Sequence, residues 1–178
     1  MGVRARPRLE IRKMRTDDLE EVMVIERVAF KHPWSTELFR RELDHDWSTI
    51  LVAVEPLSGA PEPRAAEGPG AGRRAAASMQ ERIVGFLIYW LVHDEVHVLN
   101  VASAPEQRRN GIARLLMEET EKRAHLANAA LMTLEVRRSN TAAIELYRQF
   151  DFRAVGVRPN YYVDEGEDAI VMVKELKR

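Results

Sequence analysis

Between Ser103 and Leu116 the chain reads SAPEQRRNGIARLL. The β-rich run EVHVLNVAS leads into it. From Arg109 the pattern changes period: Ile112, Leu115 and Leu116 form an apolar stripe, and Glu119 and Arg123 a charged face, continuing to about Leu126. A strand therefore gives way to a helix, and the junction holds arginines, an asparagine, a glycine and an alanine. A helix start leaves its first backbone N–H groups unpaired and carries partial positive charge, which suits an anion such as a pyrophosphate. Gly111 and Ala113 keep side-chain bulk out of the loop, while Arg108, Arg109 and Arg114 add charge. The same residues also read as a turn glycine and a solvated helix start. Two nucleotide motifs fit poorly: the dinucleotide G-x-G-x-x-G lacks its other glycines here, and the P-loop lacks its lysine and hydroxyl.

On either side of this junction the pattern gives four helices and seven strands. LEIRK reads as a short strand, and TDDLEEVMVIERVAF as a helix capped by Thr16. KHPWS interrupts, and TELFRRELDHD follows as a second helix capped by Ser35, with Leu38, Phe39 and Leu43 inward. STILVAVE, RIVGFLIYWLV and EVHVLNVAS read as strands, the last two joined by a tight turn at HD. ALMTLEVRR returns to strand after the long helix, and a strand–helix–strand run of this length predicts a parallel crossover. SNTAAIELYRQF is a fourth helix capped by Ser139 or Asn140, and FRAVGVRPNYYV and EDAIVMVKEL close the chain as strands antiparallel to their neighbours. The expected class is α/β, with a mixed, mostly antiparallel seven-stranded sheet.

The 178 residues, 46% of them hydrophobic, suit one domain spanning 1–178. The run from Pro56 to Glu81, rich in Pro, Gly and Ala, has too few large apolar groups to offset the entropy of ordering, and reads as a flexible surface insertion. Lys plus Arg number 27 against 28 Asp plus Glu, so no overall basic excess points to nucleic acid. The chain has no cysteine, which excludes disulfides, thiolate metal sites and cysteine nucleophiles. The first residues lack an apolar run of signal-peptide length, and no later run could span a bilayer. The expectation is a soluble cytoplasmic protein without membrane or direct nucleic-acid contacts.

With this order of elements, Arg108 to Ala113 matches the loop [Q/R]-x-x-G-x-[G/A] of the GNAT acetyltransferase superfamily, which the chain resembles from Leu9 to Leu176 outside the insertion. PWS, LEVRRSNTAAIELYRQFDF and RPNYYVDEGEDAIVM resemble more specifically the ribosomal-protein-alanine N-acetyltransferases of the RimI type. The resemblance implies a sheet splayed between its fourth and fifth strands, with acetyl-CoA as cosubstrate held in the splay and no metal. It puts Val101, Ala102 and Ser103 at a bulged strand end against the pantetheine arm, where an N–H faces the thioester oxygen. Arg109, Asn110, Gly111, Ile112, Ala113 and Arg114 would surround the pyrophosphate, and Asn140 would lie beside the cofactor arm, be a helix cap, or serve as both. Ser103 departs from the aliphatic residue commoner in the family, which bears only on local packing.

Acetyl transfer needs a proton acceptor for the amine and a proton donor for the leaving thiolate. Glu135 is the lone acid in the apolar run ALMTLEV, and a carboxylate there could accept a proton directly or through water. By itself it equally reads as an outward residue of a half-exposed strand; the RimI-type match makes it the base. Tyr147, two helical turns after Asn140, shares its face, and a phenol can protonate a thiolate. Tyr in such a pattern is otherwise a core residue. HDEVH is not the zinc motif H-E-x-x-H and lies in a hairpin. Pro33, Trp34, Tyr161 and Tyr162 read as packing residues or as flanks of the acceptor groove. The resemblance implies direct transfer to a protein N-terminus, with the N-terminal alanine of small-subunit ribosomal protein eighteen as acceptor. Other N-termini, a small amine, or a non-catalytic CoA-binding sensor remain as alternatives.

Overall fold

The structure, a computed structural model, describes residues 9–56 and 81–176. In chain order these form β1 (Glu10–Lys13), α1 (Leu19–Ala29), α2 (Thr36–Asp44), β2 (Ser48–Pro56), β3 (Glu81–Val92), β4 (Glu95–Ser103), α3 (Ile112–Leu126), β5 (Leu131–Arg137), α4 (Thr141–Gln149), β6 (Arg153–Tyr162) and β7 (Glu167–Glu175). One sheet contains all seven strands in the order β1-β2-β3-β4-β5-β7-β6. Every neighbouring pair is antiparallel except β4 with β5, which α3 connects as the expected crossover. The segment read as an insertion, 57–80, lies outside the described residues. Its flanks are placed: antiparallel pairing of β2 with β3 runs out to Pro56 opposite Glu81. Among the described residues no helix is long and apolar enough to cross a membrane.

The sheet separates two apolar layers. Leu51, Leu87, Val96 and Val98 pack with Ile112, Leu116 and Met117 of α3 and with Ile144 and Tyr147 of α4. On the opposite face, Ile50, Val52, Phe86 and Ile88 pack with Val22, Met23 and Ile25 of α1 and Phe39 of α2. Alternation along the strands produces both layers, because successive side chains point to opposite faces. Ser35 caps α2 as expected, its Oγ accepting the Leu38 N–H at 3.2 Å. Thr16 does not cap α1. Asp18 accepts the Arg15 N–H at 2.6 Å and two bonds from the Arg12 guanidinium, and a short 3-10 turn over Thr16–Asp18 delays the helix to Leu19.

Two irregularities shape the middle of the sheet. Tyr89 opposes Val98 and Ile88 opposes Asn100, so Leu99 is one residue more than β3 supplies. Before this bulge the even-numbered Val96 and Val98 face α3; after it Val101 packs on that layer and Ala102 on the α1 layer. The bulge therefore exchanges the faces that odd and even residues occupy. The second irregularity is a parting of strands. β4 and β5 pair from Glu95 opposite Leu131 to Val98 opposite Leu134 and no further, so their C-terminal halves diverge.

Gly85 brings α3 to this gap. It lies opposite Ser103 on β3, and a Cβ there would stand 2.5 Å from Ile112 Cγ2 and 2.8 Å from the Ala102 carbonyl oxygen. Glycine lets the first turn of α3 rest directly on the sheet beside the end of β4.

Candidate functional site

After β4 the chain makes a 3-10 turn at Pro105–Gln107 and then takes the left-handed region twice, at Arg109 (φ 65°) and Gly111 (φ 82°). Gly111 is the N-cap of α3. It offers no side-chain acceptor, and the first turn carries no acid. The first intrahelical bond back to the cap is donated by Leu115, whose N–H reaches the Gly111 carbonyl at 3.0 Å, so the earlier N–H groups of the turn have no intrahelical partner. They open on a cleft of about 520 Å³ between α3 and α4. Arg108, Arg109 and Arg114 are in its lining and no carboxylate is; Val101 and Ser103 close its inner end with Ala143, Leu146 and Tyr147. The cleft is thus cationic at one end and largely apolar at the other. That gradient fits a long cosubstrate with a pyrophosphate at one end and a thioester arm at the other.

Most of the expected cosubstrate residues meet here: Val101, Ser103, Arg109, Gly111, Ile112, Ala113 and Arg114. Arg114 also donates from Nη2 to Gln149 Oε1, and its guanidinium lies 5.4 Å from the Phe150 ring centre. Three of the expected residues, Ala102, Asn110 and Asn140, are not in its lining. The bulge turns Ala102 to the α1 layer, and Asn110 donates from Nδ2 to Gln107 Oε1 at 2.9 Å, outside the cleft lining.

A second cleft, of about 700 Å³, meets the first at Val101, Ala143 and Tyr147. Its walls come from the α1–α2 loop, the parted end of β5 and the β6–β7 turn. They carry Glu26, Glu135, Asp164, Glu165 and Glu167 against Lys31, His32 and Arg137. Glu135 lines this cleft, its side chain 27% exposed and its Oε1 3.1 Å from Arg158 Nη2. Tyr147 lines both clefts and is 8% exposed. Burial, with a smaller contribution from Tyr162, pushes its phenol up to about 12, so it remains a hydroxyl donor throughout the working pH range. Tyr162 is near enough to feel the charge of Glu135 as well, although burial is the largest cause of its own raised value. Asn140 caps α4, its Oδ1 accepting the Ala143 N–H at 3.2 Å, and it lines the second cleft rather than the first. Trp34, Tyr161 and Tyr162 line that cleft too, and Pro33 does not.

The sequence reading passed over Glu26, which is fully buried (0% exposed). Its Oε1 accepts the Trp34 N–H at 2.8 Å and its Oε2 accepts from Asn100 Nδ2 at 3.4 Å, so it ties the α1–α2 loop to the bulged strand. Desolvation raises its carboxyl above the ordinary range, against the lowering effect of those two donors. The signal was present: Glu26 stands four residues after Val22 and three after Met23, on the apolar stripe of α1. HDEVH is the hairpin turn expected, His97 Nε2 lying 3.1 Å from Glu95 Oε2, and among the described residues no cluster of His, Asp or Glu could hold a metal ion.

Comparison with known proteins agrees with this geometry. Residues 19–152 match the family model described as the acetyltransferase (GNAT) family. The ribosomal protein bS18-alanine N-acetyltransferase of Escherichia coli K12 is 30% identical over 164 residues, covering 91% of this chain and 94% of that protein. An N-alpha-acetyltransferase of Saccharolobus solfataricus is 30% identical over 169 residues, 93% of this chain and 92% of its own length. The crystal structure of the Escherichia coli ribosomal-protein-S18-alanine N-acetyltransferase superposes with a TM-score of 0.75 at 27% identity, covering 96% of each chain. A Gly-capped helix beside a parted sheet, with a matching sequence across three quarters of the chain, carries one conclusion: the chain belongs to the acetyltransferase (GNAT) family and is an acetyl-CoA-dependent N-acetyltransferase.

Proposed function

We propose that this enzyme is an Nα-acetyltransferase whose acceptor is the N-terminal alanine of small-subunit ribosomal protein eighteen, modified in the cytoplasm. One observation carries the reading: an arginine-lined cleft without carboxylates and a carboxylate-bearing cleft meet at Val101, Ala143 and Tyr147. The first suits the cosubstrate, the second an amine. Relatives named for alanine Nα-acetylation at about 30% identity support the choice of acceptor.

In this reading bound acetyl-CoA supplies the acetyl thioester. Backbone N–H groups at the start of α3 hold its pyrophosphate, and the parted end of β4 holds its arm. Glu135 accepts the proton that the α-ammonium sheds, directly or through water, leaving a neutral nitrogen whose lone pair forms the C–N bond. Tyr147 gives its hydroxyl proton to sulfur as the C–S bond breaks, the nitrogen loses its second proton to solvent as the amide forms, and exchange with solvent returns a proton to Tyr147 and takes one from Glu135. Transfer is direct, with no acyl-enzyme. A single carboxylate suffices because an α-amino group ionises at about 7.7–8.0, against about 10.4 for a lysine side chain.

The test is mass spectrometry of peptides incubated with enzyme and acetyl-CoA. One peptide begins with the ribosomal alanine sequence, a second has that terminus blocked but carries an internal lysine, and a third begins with a bulky residue. Acetyl should appear on the free alanine terminus. Modification of lysine alone, or of a small amine but no peptide, would overturn the reading.

A further inference from the structure

One guanidinium joins three of the segments that wall the acceptor cleft. Arg137 ends β5, two residues after Glu135 and on the same face of the strand. Its guanidinium carbon lies 3.8 Å from the centre of the Tyr162 ring. Its Nη1 donates to Glu165 Oε2 at 2.6 Å and to Glu167 Oε2 at 3.3 Å. Each acid uses its other oxygen on a different segment: Glu165 Oε1 meets Lys31 Nζ of the α1–α2 loop at 2.9 Å, and Glu167 Oε1 accepts the Ser139 N–H before α4 at 2.8 Å.

The β6–β7 turn is otherwise held by exposed polar contacts, the Asn160 N–H on Asp168 Oδ1 at 3.0 Å and His32 Nδ1 3.5 Å from Asp164 Oδ2. Its ladder is interrupted between Arg158 opposite Ala169 and Tyr162 opposite Glu167. Asn160 and Gly166 take the left-handed region, and Val163 is largely exposed, so no apolar anchor fixes the tip. Yet Tyr162 stands on that turn and bears electrostatically on both Tyr147 and Glu135. A planar guanidinium can stack on a ring and bond two carboxylates at once; an ammonium cannot do both.

We propose that Arg137 is the positioning residue for the acceptor, setting Tyr162 and the β6–β7 turn against the mouth of the cleft. It acts through those groups on acceptor binding and leaves the cosubstrate cleft untouched. The inference rests on the proposed peptide acceptor.

Arg137→Gln and Arg137→Lys are to be compared with wild type by peptide kinetics, acetyl-CoA titration and hydrogen exchange. Arg137→Gln should raise KM for the alanine peptide about tenfold or more with kcat within about threefold, and leave the acetyl-CoA Kd unchanged. Amides of residues 160–167 should exchange faster, and those of α3 should not. Arg137→Lys, which keeps the charge and loses the stack, should fall between wild type and Arg137→Gln. Unchanged exchange at 160–167 in either folded variant overturns the proposal. So does a parallel loss of kcat, acetyl-CoA affinity and Tm, which would make Arg137 a general support of the fold. If the wild type acetylates small amines but no peptide, the proposed function fails, while the exchange data still decide whether Arg137 holds the turn.

Discussion

Arg158 of β6 reaches over the intervening strand β7 to Glu135 of β5, Nη2 to Oε1 3.1 Å. The register explains how. Arg158 is level with Ala169 and Arg137, and Glu135 is level with Val171 and Gly156, so Arg158 and Glu135 stand two residues apart in register on the same face, with Ala169 and Val171 of β7 between them. The proposed base is therefore oriented from one side by an arginine and open to the acceptor cleft on the other.

Glu135→Gln keeps the shape of that site and removes its proton acceptor. It should lower kcat by roughly 10²–10⁴-fold, with acetyl-CoA affinity unchanged. The loss should shrink over pH 7–9, because a substrate above its own α-amino pKa arrives neutral and needs the base less. Steady-state rates of both proteins across that range check this; a constant ratio removes Glu135 from proton transfer.

Tyr147→Phe should also lower kcat, and alkaline pH should not rescue it, because hydroxide supplies no proton to a leaving thiolate. The wild type carries a second expectation. Burial raises the Tyr147 phenol to about 12, so the donor form persists as pH rises and no loss of rate from its ionisation should appear below about pH 10. A fall in kcat near the ordinary phenol value of about 10, absent in Tyr147→Phe, would contradict the burial argument.

Gly85→Ala tests whether α3 owes its position to the missing side chain. The new methyl would meet Ile112 and the Ala102 carbonyl, and overpacking of this kind costs about 1–3 kcal/mol. Both Tm and acetyl-CoA affinity should fall, since the displaced elements are the helix start and the strand end that line the cosubstrate cleft. Gly156→Ala, where an added Cβ meets nothing within 4 Å, is the control and should change neither. Calorimetry with and without acetyl-CoA separates the two effects; equal behaviour of both variants refutes the packing account.

Glu26 predicts a pH dependence of stability with a definite sign. Its carboxyl is raised in the folded state, chiefly by desolvation, so the folded protein binds the proton more tightly than the unfolded chain. Its contribution is therefore most favourable in acid. It declines as pH rises from the ordinary carboxylate range through the raised value, and is constant above it. Glu26→Gln lacks that decline, so its stability relative to wild type should be greater at pH 7 than at pH 4. Urea denaturation at the two pH values measures the difference, and a pH-independent difference would show that burial does not perturb Glu26.

The periodicities that place strands and helices are local, and these survive in the structure: the long amphipathic helix, the HD hairpin and the Ser35 cap were all legible. So was the Gly-capped, arginine-flanked helix start in RRNGIA, because it depends on residues adjacent in sequence. What escaped the reading depends on partners distant in the chain. Gly85 is an unremarked residue in a strand until Ile112 lies against it. The apolar stripe of α1 marks Glu26 as inward, but its partners Trp34 and Asn100 are not legible there. A bulged end of β4 is expected, but that Leu99 is the extra residue, which puts the Ala102 side chain on the α1 layer, shows only in the pairing with β3.

That bulge sets the course of β4 rather than the faces of its side chains. Deletion of Leu99 would leave Val98 and Asn100 as neighbours opposite Tyr89 and Ile88, a regular ladder in which Val101 and Ala102 keep the sides they have. What would go is the bend and added twist that an extra residue gives a strand, at the level where β4 stops pairing with β5. A missing residue at this point is thus a straightening of the sheet where it parts, with every downstream side chain left on its own side.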